Sequence, residues 1–512
     1  MRGVSAIAAA AVLAIAAAGA AWAELASPPP VIAAVKAGDR ETAIGLIEAG
    51  AEIDARDTDG STALLYAAYQ GDLAVVSALI AAGADVNAFN DYGANALQQA
   101  ASAGDAALIA RLLEGGADVE SPNAEGQTAL MAAARTGVVE AARVLVEHGA
   151  DVNARESWGG QTALMWAAAQ HQAAMIAYLI SAGADPNAQA AARDWERRVT
   201  SEPRIKEMLS GGFSPLLYAA RQGCTACARV LIEGGADPDL GDPDGVTPII
   251  AALLNFRFDV ALYLVEEGGA DVNRWDWYGR TPVFTAVDMA TIPTGMRADL
   301  PSMDRTTGQD VVAALLARGA DPNYRLKLEP PYRNIAFDRG ADTAVLTQGS
   351  TAIMRAGVSG DARSVELLLA HGAEVDLVNS RGLTALMLAS GVARSPTATR
   401  GEYVTQAQSI AVLDKMIDAG AQLDAADWRG VTALHGAAAQ GWTEVVRHLA
   451  ARGAPLDATD ASGLTPRDYA AGRTPGRNFG GVDTAQHPGT VAAIEELLAR
   501  ETAAAASGPT EG

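Results

Sequence analysis

The sequence predicts an all-α repeat solenoid built from short helix pairs, and three observations carry the prediction. A Gly-x-Thr/Ser-Ala/Pro-Leu-like phrase returns with its glycine at Gly60, Gly93, Gly126, Gly160, Gly212, Gly245, Gly279, Gly349, Gly382, Gly430 and Gly463, most often 33 or 34 residues apart. A second phrase alternates strictly with it, as in Gly83-Ala84-Asp85-Val86-Asn87 and Gly149-Ala150-Asp151-Val152-Asn153. Between the phrases, apolar residues recur at helical spacing in two short runs. A fixed period of this length marks a stacked array, in which each unit buries its apolar face only against its neighbours.

Composition agrees. The chain has 512 residues, 49% hydrophobic and 5% aromatic, with two Cys and a formal net charge of −23. Abundant alanine and scarce large aromatics suit closely packed short helices better than one large core. The excess of 61 acidic over 38 basic residues leaves no global counter-charge for a phosphate backbone, so nucleic acid is not an expected partner.

Residues 1–23 read as a signal peptide; an uncleaved membrane anchor is the alternative, since about 20 uncharged residues can span a bilayer. Arg2 precedes an uncharged stretch containing Val4, Ile7, Val12, Leu13 and Ile15, which ends in the small-x-small site Ala21-Trp22-Ala23 before Glu24. No Cys follows to accept a lipid, and no later segment is long and apolar enough to span a bilayer, so no membrane insertion is expected after cleavage.

One unit shows how each element arises. In Gly60-Ser61-Thr62-Ala63-Leu64 the glycine permits a tight turn with positive φ and Thr62 caps the helix that follows. Leu64, Ala67 and Ala68 line that helix until Gly71 stops it; Leu73, Val75, Val76, Leu79 and Ile80 line a second, which ends at Gly83. Asp85 and Asn87 then start the next turn by accepting bonds from nearby amides, so much of the acidity is turn chemistry. With a partial first unit around Pro30 to Gly50, about twelve repeats occupy residues 27–500, and 501–512 reads as a disordered tail.

These phrases resemble the ankyrin-repeat family. Its Thr-Pro-Leu-His phrase stands here as Thr432-Ala433-Leu434-His435 and as Thr247-Pro248-Ile249-Ile250, with Asn95 and Arg467 among the departures. The resemblance implies antiparallel helix pairs, β-hairpin fingers along one edge, and a concave face formed by the fingers and first helices. On that layout Tyr66, Trp166, Tyr218 and Tyr469 take one first-helix position facing the concave side, with Tyr69 a turn further on. Trp158, Trp275, Trp277, Tyr278, Trp428, Phe89 and Tyr92 fall near finger tips. Such aromatics are either partner anchors or packing between fingers and inserted loops. Met131, Met165, Met354 and Met387, in place of the family His, read as core filler.

Longer intervals mark five insertions. Two enter fingers, about 189–211 and 324–348, and both carry basic and aromatic residues, including Trp195, Arg197 and Arg198 in the first and Tyr332 and Arg333 in the second. Three others, about 290–307, 391–405 and 472–489, fall between the two helices of their repeats. Exposed loops drift in length, but they also carry working surfaces.

Cys224-Thr225-Ala226-Cys227 opens a second helix. In an exported protein the pair is expected to form a local disulfide. The spacing also admits a thiol-disulfide or redox-responsive site, although thioredoxin-like chemistry expects a β-α-β context. Ala228 stands where haem attachment would need His. The six His are scattered without metal-ligand spacing, and His148 and His371 precede Gly-Ala turns as helix-end caps. Neither a catalytic constellation nor a phosphate-binding loop stands out, so no cofactor is expected. The expected function is that of a monomeric, exported, periplasmic, non-catalytic scaffold that binds a protein through its concave face and finger loops. A redox protein using Cys224 and Cys227 and an accessory subunit of an exported enzyme are the alternatives.

Overall fold

A computed structural model describes residues 28–192, 211–291, 304–330, 347–394, 404–473 and 486–506. Among them lie twelve helix pairs, numbered here as repeats 1 to 12. The first helices of repeats 1 to 5 are Pro30–Lys36, Ala63–Gln70, Ala96–Ala103, Ala129–Thr136 and Ala163–Ala169, and their second helices run from Arg40–Glu48 to Ala173–Ser181. Repeats 6 to 12 begin with Pro215–Gln222 and end with Pro488–Ala506. The chain forms two compact bodies: residues up to Ala191 with Glu233–Gly235, and Ala192–Ile232 with Ala236–Gly512.

The repeat phrase works as capping chemistry. Thr62 Oγ1 accepts from Leu65 N (3.3 Å), and Thr128, Thr162 and Ser214 cap their helices in the same way. The first helix of repeat 2 ends at Gly71 in the left-handed conformation. Some second helices open on aspartates, where Asp72, Asp105 and Asp361 each accept from amides of the first turn. Gly126 must be glycine for two reasons: its φ is 79°, and a Cβ there would sit 2.8 Å from the backbone nitrogen of Ser157 on the next finger.

Packing follows repeat to repeat. In the first body, first helices lie against first helices and second against second, and each pair closes on itself. Ala67, Ala68, Ala100, Ala133, Ala134, Ala167 and Ala168 are all fully buried, so small side chains bring the first-helix layer close together, while Leu79, Leu112, Leu145 and Leu179 fill the space towards the second layer.

The fingers differ from the expected β-hairpins. Among the described residues there are no strands, only isolated bridges at Arg56–Thr62, Ala192–Gly211 and Ala426–Thr432. In many fingers the side chain three residues before the glycine explains this. Asn90 Oδ1 accepts from Tyr92 N (3.1 Å) and Ala94 N (2.9 Å), and Asp276, Asn379, Asp427 and Asp460 each hold two amides in the same way. These bonds replace the ladder that strands would need. Neighbouring tips are tied instead by single amides, as from Asp91 N to Asp59 O (3.0 Å).

The turn asparagines link one repeat to the next. Asn87 Nδ2 donates to Gly116 O (3.1 Å) and its Oδ1 accepts from Asp118 N (2.8 Å); Asn153, Asn273 and Asn323 repeat the pair of bonds. Buried His435 does similar work near the end of the second body. Its Nδ1 accepts from Thr432 N (3.2 Å), so the proton sits on Nε2 and is donated to Leu464 O (3.1 Å). Burial holds its pKa below the usual histidine value.

Candidate protein-binding face

The first-helix aromatics divide by what they touch. Tyr66 is half-buried: its hydroxyl donates to Asp57 Oδ2 (3.1 Å), and Lys36 Nζ lies 4.4 Å above its ring. Tyr469 repeats the motif in buried form, donating to Asp460 (2.8 Å) and packing edge-on to His435. Both tyrosines stand nine residues after the aspartate they hold, so this position braces a helix to its own finger. Burial, reinforced by Asp460, raises the Tyr469 pKa. Tyr218 packs edge-on against Phe213 with ring centroids 5.5 Å apart. Trp166 is half-buried, and its Nε1 is sealed from solvent with no acceptor among the described residues.

Of the finger residues, Tyr278 is not a surface anchor. It is 7% exposed, its carbonyl accepts from Lys327 N (2.9 Å) and Leu328 N (3.1 Å), and Arg280 covers its ring. The reading of Tyr278 as an exposed tip fails because the chain at Lys327 and Leu328 folds back over it. Trp275 and Trp277 keep 42% and 51% of their surface, yet Lys327 Nζ sits 2.9 Å from the Trp275 ring centroid and Tyr324 lies beside it. These contacts favour packing at that finger over a free platform. Trp195, Arg197, Arg198, Tyr332 and Arg333 lie outside the described residues.

First-helix positions that are mostly open in repeats 2 to 5, buried Ala132 excepted, are mostly closed in repeats 7 to 10. Along the first helices of the first body, Tyr66, Gln99 and Trp166 are half-exposed, and the residues one turn on, Tyr69, Ser102 and Arg135, are exposed. At the same two positions in repeats 7 to 10, Ala251, Thr285, Arg355 and Leu388 are buried, as are Leu254 and Val358. Even the charge is internal: Arg355, 2% exposed, pairs with Asp288 at 2.6 Å. Exposed large aromatics in the first body are Tyr69 (73%), Tyr92 (74%), Phe89 and Trp158.

A cleft of about 280 Å³ lies on this open side, between the first helices and fingers of repeats 3 to 5. Tyr92 on one finger, Gln98 and Gln99 on the following helix, Glu125 and Gln127 on the next finger, and Arg135 and Trp166 behind them form its wall. Gln98 is buried and donates to Ser121 O (3.2 Å) and Gln127 O (2.8 Å), so it positions the next finger. Sequence reading passed over Gln99, Gln127 and Arg135 because single polar residues on a helix or finger read as a solvated face. The deviant phrase Asn95-Ala96-Leu97-Gln98 was the available signal.

Acids elsewhere in the fingers serve the fold. Asp276 is fully buried, caps two amides and pairs with Arg280 at 2.6 Å; burial nevertheless raises its pKa. Burial, with Asp244 and Asp276 nearby, pushes Asp242 up to about 6. No group of three or more His, Cys, Asp or Glu side chains among the described residues is placed to hold a metal ion. Cys224 and Cys227 are disulfide-bonded and buried, and Cys224 Sγ accepts from Cys227 N at the start of the helix, where other repeats use Asp. His148 and His371 bond the carbonyls of Val144 (2.8 Å) and Leu367 (2.9 Å), as helix-end caps do. No helix among the described residues is long and apolar enough to cross a membrane.

Helix pairs capped by Thr and Asp, fingers closed by Asx turns and an asparagine ladder define a repeat solenoid, and the chain belongs to the ankyrin-repeat family. Ankyrin-repeat models match residues 31–123, 98–190 and 200–297, and a further ankyrin model matches 416–470. A Danio rerio protein named for palmitoyltransferase ZDHHC13 is 27% identical over 195 residues, which cover 38% of this chain and 24% of that protein. The crystal structure of the human ASB11 ankyrin repeat domain aligns at 22% identity with a TM-score of 0.37, over 44% of this chain and 91% of that one. Ankyrin repeats suggest a protein-interaction scaffold.

Proposed function

We propose that this protein is an exported, non-catalytic scaffold that binds a protein partner on the open first-helix and finger side of its first body. The observation that carries the reading is the contrast at equivalent positions: Tyr69, Ser102 and Arg135 are exposed, whereas Leu254 and Val358 are buried. A binding surface needs accessible anchors, and exposed aromatics beside a cleft supply them. The leader-like residues 1–23 support export to the periplasm. The buried state of the cysteine pair supports a structural bond over exchange with another protein's thiols, which requires access.

Site-specific photocrosslinking in the native host tests the reading. A photoreactive residue replacing Tyr69 or Tyr92 should trap a discrete partner, whereas one replacing Trp428, equally exposed but in the second body, should not. Trapping at Trp428 alone would defeat the proposal.

A further inference from the structure

The first body contains seven described basic residues, and six have work to do. Lys36 pairs with Asp57, Arg40 with Asp72, Arg143 with Glu140 and Arg111 with Glu114, while Arg56 and Arg155 each donate to two finger carbonyls. Arg135 is the exception. Its guanidinium has no ion pair or hydrogen bond among the described residues, and it lines the cleft. Glu125 lines the same cleft, and its carboxylate likewise has no ion pair or hydrogen bond among the described residues; its carbonyl accepts from Ser157. The cleft wall also includes carboxamides, from Gln99 and Gln127, and aromatic rings, from Tyr92 and Trp166.

Each part limits the ligand. Carboxamides offer both a donor and an acceptor, which matches the alternating N–H and C=O of an extended main chain. Aromatic walls take apolar or aliphatic side-chain surface. The two opposite charges come from neighbouring elements: Glu125 is on the finger three residues before the Thr128 cap, and Arg135 is in the last turn of Ala129–Thr136.

We infer that the cleft of repeats 3 to 5 is a subsite for an extended peptide carrying one basic and one acidic side chain, the base facing Glu125 and the acid facing Arg135. The inference rests on the protein-binding reading above and names the chemistry of the segment that enters. Overall acidity does not forbid an acidic side chain here, because at physiological salt charges beyond about 8 Å are largely screened. The local pair, one of each sign, sets the preference. It selects against segments bearing two like charges, since one of them would then face its own sign.

The Trp166 indole N–H reports on the site. It has no acceptor among the described residues, and it lies in the wall that a bound segment would contact. With the full chain labelled at its tryptophan indole nitrogens, the signal lost in W166F identifies Trp166, and four capped hexapeptides serve as probes: Gly-Lys-Ala-Ala-Glu-Gly and its counterparts with Lys and Lys, Glu and Glu, or Gln and Gln at the two variable places. The mixed-charge probe should move the Trp166 signal saturably. The other three should need at least about fivefold higher concentration for the same shift. E125Q and R135M, both exposed positions, should each weaken the mixed-charge probe about two- to fivefold, as expected for exposed ion pairs, and leave the Gln probe unchanged. Equal binding of the Gln probe, or indifference to both substitutions, would overturn the inference. So would an unmoved Trp166 signal with every probe; if photocrosslinking at Tyr69 still trapped a partner, the broader reading would survive that result.

Discussion

His435 offers a prediction whose size can be worked out from the structure. Its Nε2–H donates to Leu464 O on the next finger, its Nδ1 accepts from Thr432 N, and its ring meets Tyr469 with centroids 4.9 Å apart. His435→Ala strands the buried Thr432 N–H, costing about 1–3 kcal/mol, removes one of the two bonds to Leu464 O, which keeps the one from Asp460 N, about 0.5–1.5 kcal/mol, and removes the ring contact, about 0.5–1.5 kcal/mol. The join between repeats 11 and 12 should therefore weaken by about 2–6 kcal/mol. His435→Gln should recover much of this, because Gln98 occupies the same place in repeat 3 and its Nε2 donates to the equivalent carbonyl, Gln127 O, at 2.8 Å. Acidity should separate the two residues as well. Burial lowers the folded-state pKa of His435, so the unfolded segment gains the proton first. The histidine's contribution is complete above about pH 6.5, the unfolded value, and is lost as pH falls from there through the folded value. Hydrogen exchange of the segment from Gly463 to Ala470 is the assay, since repeat arrays open locally rather than all at once. Protection should drop between pH 7.5 and pH 5.5 in the wild type and stay level in His435→Gln. Unchanged protection in His435→Ala would refute the bridging role.

Other outcomes follow from the same chemistry. Arg280→Met strands the fully buried Asp276 carboxylate and should cost about 3–5 kcal/mol in urea unfolding followed by tryptophan fluorescence. Asp242 titrates near 6 because of burial, so its penalty is absent at low pH and develops as pH rises through 6; Asp242→Asn keeps the turn and should stabilise by about 1–3 kcal/mol at pH 7.5, with little gain at pH 4. Cys224→Ser with Cys227→Ser removes a very short loop and should cost only about 2 kcal/mol. The wild-type pair should show a reduction potential below about −300 mV, whereas a value in the oxidoreductase range would favour redox work.

The repeat phrases made the fold legible because they are capping and turn chemistry, which is local. Thr62, Gly71 and Asp72 each act within a few residues of themselves, so spacing alone could place them. Fingers were harder. Strand ladder and Asx turn both suit the same residues, and only the geometry at Asn90 shows that the side chain takes the amides. The site was less legible still. Tyr66 and Tyr69 lie one turn apart and look alike in sequence, yet Tyr66 is tied to Asp57 and Tyr69 stands free in solvent. Tyr278 looked like Tyr92, but a segment about fifty residues later in the chain covers it. Whether a side chain is exposed depends on what returns from far along the sequence, and periodicity says nothing about that. Arg135 drew no notice because its distinction is the lack of a partner, a property that sequence does not show.

The central claim is that partners dock on the open side of the first body. Recovery of partner proteins from periplasmic extract by the full chain and by its Y69A/Y92A/R135A variant tests it most directly, because all three positions are exposed and the changes leave the core intact. The account predicts that at least one protein retained by the wild-type chain is lost, or falls at least tenfold, with the variant, while W428A retains it. Undiminished recovery of every partner by the triple variant would contradict the account.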